Sequence, residues 1–302
     1  MWHDASAGPI ELQPLEALRN SGLINPTVTG PKVEVERVSD RVATGSNGHE
    51  VGVRVYEPGA DEAPVLVYAH GGGWTLLSVE SCDALCRRIS AAARCTVVSV
   101  DYRLAPEHPF PAAYEDMWCA VEWVAHGGLG SRPSRIAVGG DSAGGNLAAA
   151  VALAARDSGT IRLSAQLLLY PATDTDLDTP SMRSNGADPK FRLSPPTMRW
   201  FWGNYLRGDL SCTDERAVPA RAASHAGLAP AIVVAPKYDP LHSDAVRYAG
   251  RLEKAGTPVD LIEPPTMPHG FAMLIGAVPS AAPIVDDVIG RLGAALHTEG
   301  GR

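Results

Sequence analysis

Ser142 stands in "GGDSAGGN", residues 139–146, one hydroxyl among four glycines with a carboxylate directly before it. Gly140-Asp141-Ser142-Ala143-Gly144 spells G-x-S-x-G, which suits a sharp strand-to-helix turn that presents a nucleophile. Glycine fits there because a side chain would collide with the strand or with the helix start. A serine hydroxyl needs a base, and on such an elbow an acid and then a histidine follow in sequence. Of nine histidines, His269 in "PPTMPHGF" follows the last apolar run and is the expected base. His225 is expected on a helix-like surface segment and His242 beyond an Asp-Pro turn, while His70 and His108 precede the serine. For the acid, "AIVVAPKYDPLHSD" offers Asp239 and Asp244. Asp239 leaves the strand first and is fixed by Pro240; Asp244 falls one turn into a helix, where a solvated or capping carboxylate is expected.

Acyl chemistry also needs donors for a developing oxyanion. "YAHGGGW" (68–74) supplies Gly72 and Gly73, which with the N–H of Ala143 are the expected hole. A glycine run can instead cradle phosphate. Neither a P-loop Lys-Ser/Thr nor a complete G-x-G-x-x-G opening a helix follows, so that reading fails.

These residues need a scaffold that brings distant segments to one edge. "VEVERV" (33–38) and "VGVRVYEP" (51–58) alternate as half-exposed antiparallel strands do. Six short apolar runs follow, at 63–70, 95–102, 135–140, 164–171, 231–236 and 259–264, and read as strands buried on both faces. Helix-like stretches separate them, including an Ala-rich helix starting near Gly145. Strand alternating with helix predicts an α/β fold with a mostly parallel, doubly wound sheet and sites at the strands' carboxyl ends. Two regions break the alternation: residues 1–32, read as an N-terminal arm of a cap, and 172–225, read as a cap insertion between core segments 33–171 and 226–302.

Whole-chain properties narrow the partners. At 302 residues with 45% hydrophobic content the chain buries a large core. Its 26 basic against 34 acidic residues give −8 with no basic run, against nucleic acid or an anionic membrane surface. The five cysteines lack metal-type pairs and read as reduced thiols in a cytoplasmic protein. No signal peptide and no apolar run long enough for a membrane helix is read, so no membrane insertion is expected.

Five motifs in order, "HGGGW" (70–74), "YRLAPEHPFPAA" (102–113), "GDSAGGN" (140–146), "YDPL" (238–241) and "HGF" (269–271), resemble the hormone-sensitive-lipase-like (GDXG) esterases of the α/β-hydrolases. The resemblance spans about residue 60 to the C-terminus. It implies an α/β-hydrolase fold with a helical cap and hydrolysis of carboxylic esters, with Ser142 as nucleophile, Asp239 as acid, His269 as base and no cofactor or metal. It also implies that His70 shapes the glycine loop and that 102–113 buttresses the site, leaving Glu107 and His108 without chemistry. One departure is His242-Ser243-Asp244, where the family commonly continues with Arg-Asp-Glu. On the same triad an amide hydrolase or a dehydratase is an alternative; a non-catalytic receptor is disfavoured by the complete triad. The expected partner is a small-molecule ester, with a homodimer left open.

Substrate choice should rest on the cap. "TMRWFWGNYL" (197–206) packs bulky groups into two or three helical turns, and Trp200 and Trp202 cannot share a face at about 100° per residue. Trp200, Phe201 and Trp202, with Trp74 after the glycine loop, are the expected pocket residues, and the same spacing also fits plain cap packing. A closed aromatic pocket would favour short to medium acyl chains.

Overall fold

The apolar runs form strands because alternate side chains find cover on opposite faces. In β3 (Val65–Ala69), Val65, Val67 and Ala69 join one buried cluster while Leu66 and Tyr68 join the other. The computed structural model describes residues 8–20, 25–59, 63–191 and 193–298. After two short helices in the arm, α1 (Leu15–Arg19) and α2 (Pro26–Thr29), an eight-stranded sheet runs in the order β1-β2-β4-β3-β5-β6-β7-β8. β1 (Arg37–Thr44), β2 (Glu50–Glu57) and β4 (Thr96–Asp101) pair antiparallel. β3, β4, β5 (Ile136–Asp141), β6 (Ala165–Leu169), β7 (Ala231–Val234) and β8 (Val259–Ile262) pair parallel.

Helices cover both faces. α4 (Ala112–Ala125), α5 (Ala143–Ser158) and α8 (His242–Lys254) lie with the first cluster; α3 (Asp83–Ala93) and α9 (Ala282–His297) pack together over the second. Between β6 and β7 the described residues make no strand. It forms α6 (Pro180–Ser184), short 3-10 turns and α7 (Pro195–Tyr205), whose first turn is capped by the Ser194 hydroxyl. Among the described residues no helix is long and apolar enough to cross a membrane.

The structure corrects four local expectations. β1 starts at Arg37, so most of 33–38 is not strand; the partner strand ends at Glu57, and Pro58 beyond it has no N–H with which to extend the ladder. β8 is only half-buried, because it forms the sheet edge. α5 begins at Ala143, immediately after the serine, rather than near Gly145. His225 is buried outside any helix, with Nε2 3.0 Å from the Pro219 carbonyl and its ring edge-on to Tyr248.

Candidate active site

Ser142 occupies the junction between β5 and α5 with φ 54° and ψ −116°, a conformation that L-residues rarely adopt. The junction holds because its neighbours demand closeness. A methyl on Gly140 would overlap the Gly144 carbonyl group, and one on Gly144 would overlap the Ala69 carbonyl. The Ser142 amide donates to the Leu169 carbonyl at 2.8 Å, and its carbonyl accepts from Ala172 at 3.2 Å. The end of β6 and the chain just beyond it thereby hold the strained residue in place.

His269 Nε2 lies 2.9 Å from Ser142 Oγ, and its Nδ1 lies 2.8 Å from Asp239 Oδ2. With Nδ1–H donating to the carboxylate, the Nε2 lone pair is free to accept the serine proton. Asp239 is fully buried, and its other oxygen accepts from the Leu241 amide at 2.7 Å. Asp239 and His269 meet because β7 and β8 continue past their ends as one parallel bridge, Tyr238 with Pro268. Asp244 does not reach the histidine. Buried rather than solvated, it accepts from Thr173 N (2.8 Å), Thr173 Oγ1 (2.5 Å) and Asp174 N (3.2 Å), clasping the chain as it leaves β6. Burial raises its carboxyl to about 6.

The glycine loop lies beside the serine. Gly72 and Gly73 have φ 99° and 60°; a methyl on the first would overlap the Leu76 carbonyl and one on the second the Phe201 ring. Their amides have no acceptor among the described residues, and Ala143, first residue of α5, has none within the helix. All three residues line the cavity that holds Ser142 and His269. Three free N–H groups beside one hydroxyl can hold an oxyanion.

Several supporting residues carried no assigned role in the sequence. Asp141, directly before the nucleophile, turns inward and accepts from the Tyr68 hydroxyl (2.8 Å) and the Gly71 amide (3.0 Å), anchoring the glycine loop. Burial lifts its carboxyl to about 6, against the pull of these bonds. Asn146 Nδ2 donates to Ala172 and Ala217 carbonyls at 2.8 and 2.9 Å, tying α5 to both ends of the stretch between β6 and β7. Tyr170, with φ 39°, sets its ring edge-on to His269 at 4.9 Å. Asp141 and Asn146 lie inside the "GDSAGGN" motif, which marks them without saying what they hold, and Tyr170 lies in none of the motifs.

His70 Nδ1 donates to the Gly71 carbonyl at 2.7 Å and stacks on Tyr102 at 4.3 Å. Burial lowers its pKa to about 4, so it stays neutral near pH 7. Glu107 is exposed and forks onto Arg19 of the arm, with both oxygens at 2.8 Å. Arg19 also donates to the Thr75 and Ala105 carbonyls, at 3.0 and 2.9 Å. The arm is fastened again where Glu11 accepts from Thr197 Oγ1 (2.8 Å) and Val28 O accepts from Gly276 N (2.9 Å).

The cavity measures about 140 Å³ and is mostly apolar. Trp74 and Phe201 line it; Trp200 and Trp202 do not. Trp202 is fully buried with its ring 4.3 Å from Trp74, and Trp200 is half-buried with its ring 5.0 Å from Phe201. The helical turn that presents Phe201 and Met198 to the cavity necessarily rotates both tryptophans off it. From the arm, Val28 and Thr29 complete the lining.

A mostly parallel sheet with a serine–histidine–aspartate chain at its carboxyl edge is the architecture of α/β hydrolases. The profile of the α/β-hydrolase-fold family matches residues 66–273, and the chain belongs to that family. Within it, the motifs at 70–74, 140–146 and 269–271 are those of the hormone-sensitive-lipase-like esterases. Carboxylesterase NlhH of Mycobacterium tuberculosis is 41% identical over 269 residues, 86% of this chain and 83% of that protein. Ethyl acetate hydrolase of Pseudomonas putida is 35% identical over 87% of this chain and 84% of its own length. Among solved structures, an ester-hydrolase from the metagenome of Lake Arreo superposes with a TM-score of 0.89 at 35% identity, covering 97% of this chain and 94% of that one.

Proposed function

We propose that the protein hydrolyses carboxylic esters of short to medium acyl chains through an acyl-enzyme. The carboxylesterase type is supported by relatives that share most of their length with it. The observation that carries the mechanism is the continuous chain Ser142 Oγ, His269, Asp239, with spacings of 2.9 and 2.8 Å. His269 Nε2 takes the Ser142 proton as Oγ attacks the ester carbonyl, and Asp239 stabilises the imidazolium. Gly72, Gly73 and Ala143 donate to the tetrahedral oxyanion, each worth about 10² to 10³ in rate. His269 then protonates the departing alkoxide, and a water repeats the sequence to release the acid.

The arm and residues 172–225 form the cap in this reading, with Phe201, Met198 and Val28 as its contribution to the pocket. A volume of about 140 Å³ is close to the roughly 150 Å³ that accommodates one benzene ring. Short acyl groups therefore fill the enclosed part of the cavity, and longer ones would have to run out through its mouth. Four buried free cysteines fit a reducing, cytoplasmic setting. The test is a p-nitrophenyl ester series with Ser142→Ala as control. Acetyl to hexanoyl esters should be cleaved far better than dodecanoyl, and activity surviving in Ser142→Ala would remove the nucleophile.

A further inference from the structure

Among the described residues one cation stands at the rim of this cavity. Lys190 belongs to the short 3-10 turn Pro189–Phe191; it lines the cavity and is also exposed, which puts it at the mouth. The turn is docked beside the site, because the Phe191 ring stacks on Tyr238 at 5.9 Å, one residue before Asp239. Asp188 accepts from the Lys190 amide at 3.0 Å, which ties down the backbone of the turn. The Lys190 ammonium itself has no carboxylate partner among the described residues, unlike Lys32 and Lys237, which pair with Asp83 and Glu263.

Among the described residues that line the cavity, none pairs with that charge. The one carboxylate among the lining residues, Asp141, already accepts from Tyr68 and Gly71 beneath the glycine loop. The remaining walls are apolar or backbone, apart from Ser142, His269 and small hydroxyls. On a chain of net charge −8, an acidic substrate is repelled at long range, so attraction at this mouth must be local. We propose that Lys190 selects esters that carry a second, ionised carboxylate on the part of the molecule that reaches the mouth. This rests on the ester-hydrolase reading above and names its substrate class. Lysine suits the task as a mobile point charge on a long stem, able to meet carboxylates at more than one depth.

The carboxylate can sit on either side of the ester, and paired substrates separate the two. Monoethyl succinate against ethyl pentanoate places it on the acyl side; 4-acetoxybutanoate against pentyl acetate places it on the alcohol side. Hydrolysis of the four would be followed by pH-stat at low salt on the full chain. In at least one pair the anionic-to-neutral ratio of kcat/KM should fall about three- to tenfold in Lys190→Gln and further in Lys190→Glu, chiefly through KM. Lys190→Arg should restore it, and about 1 M salt, with a screening length of about 3 Å, should erase it in the wild type. Ratios unmoved by Gln and Glu in both pairs overturn the proposal while leaving the esterase reading intact. A wild type that cleaves none of the four overturns both.

Discussion

Tyr238 and Pro268 pair as a single parallel bridge beyond the ends of β7 and β8, and the next residue on each side is Asp239 and His269. Acid and base are thus set at hydrogen-bonding distance by the sheet ladder rather than by loop packing. The unit should behave as one. Ser142→Ala and His269→Ala should each lower kcat by several orders of magnitude, with the double variant little worse than either. Asp239→Asn should cost somewhat less while keeping the fold. Additive losses in steady-state kinetics would argue that the residues act separately.

Asp244 should matter for the fold, not for the chemistry. Asp244→Ala leaves three donors facing a buried gap, each costing about 1–3 kcal/mol. At roughly 2–4 °C per kcal/mol for a domain of this scale, Tm should drop by more than about 5 °C. Asp244→Asn keeps a carbonyl for the two amides and an NH2 for the Thr173 oxygen, so its loss should be much smaller. Equal melting temperatures for Ala and wild type would show that the clasp holds nothing.

Gly73 and Phe201 should couple. Gly73→Ala drives a methyl into the Phe201 ring at a positive φ and should nearly abolish activity; adding Phe201→Ala should recover part of it. Phe201→Ala alone enlarges the pocket and should shift the chain-length profile toward longer acyl groups. Trp202→Ala, behind the pocket, should lower Tm by several degrees and leave that profile unchanged. A profile that moves with Trp202 and not with Phe201 would reverse their roles.

Two buried groups at the glycine loop give opposite pH slopes. Asp141 is raised from 3.8 to about 6, so the folded state holds its proton more tightly and this group's penalty is relieved as pH falls from about 6 to 4. His70 is lowered from 6.5 to about 4, so its contribution is full above 6.5 and is lost as pH falls from there to about 4. Asp141→Asn should therefore make Tm fall more steeply with acid than in the wild type between about pH 6 and 4. His70→Phe should make it fall less steeply. Thermal unfolding across that window decides, and parallel profiles would contradict the buried charges.

What the sequence made legible was whatever chemistry is written in consecutive residues. The elbow, the glycine loop and the order Ser142, Asp239, His269 follow from local spelling plus strand ends, and the geometry brings those side chains together. Asp244, Tyr170 and Asn146 act on partners far along the chain, and no periodicity reports such contacts. The tryptophans of α7 were misplaced because an amphipathic pattern gives relative faces and not which face meets the site. The start of β1 turned on a missing N–H in the partner's continuation, a property of the pair and not of either strand.

The arm has a consequence for the order of events during synthesis. Glu11 and Val28 leave the ribosome well before their docking points Thr197 and Gly276. Strands β3 to β6 can assemble while translation continues, yet the arm is not fastened at Val28 until Gly276, in the last quarter of the chain, has emerged. A nascent chain therefore carries the nucleophile elbow long before it has a place to hold an acyl group. The ability to select a substrate is the last thing this protein acquires.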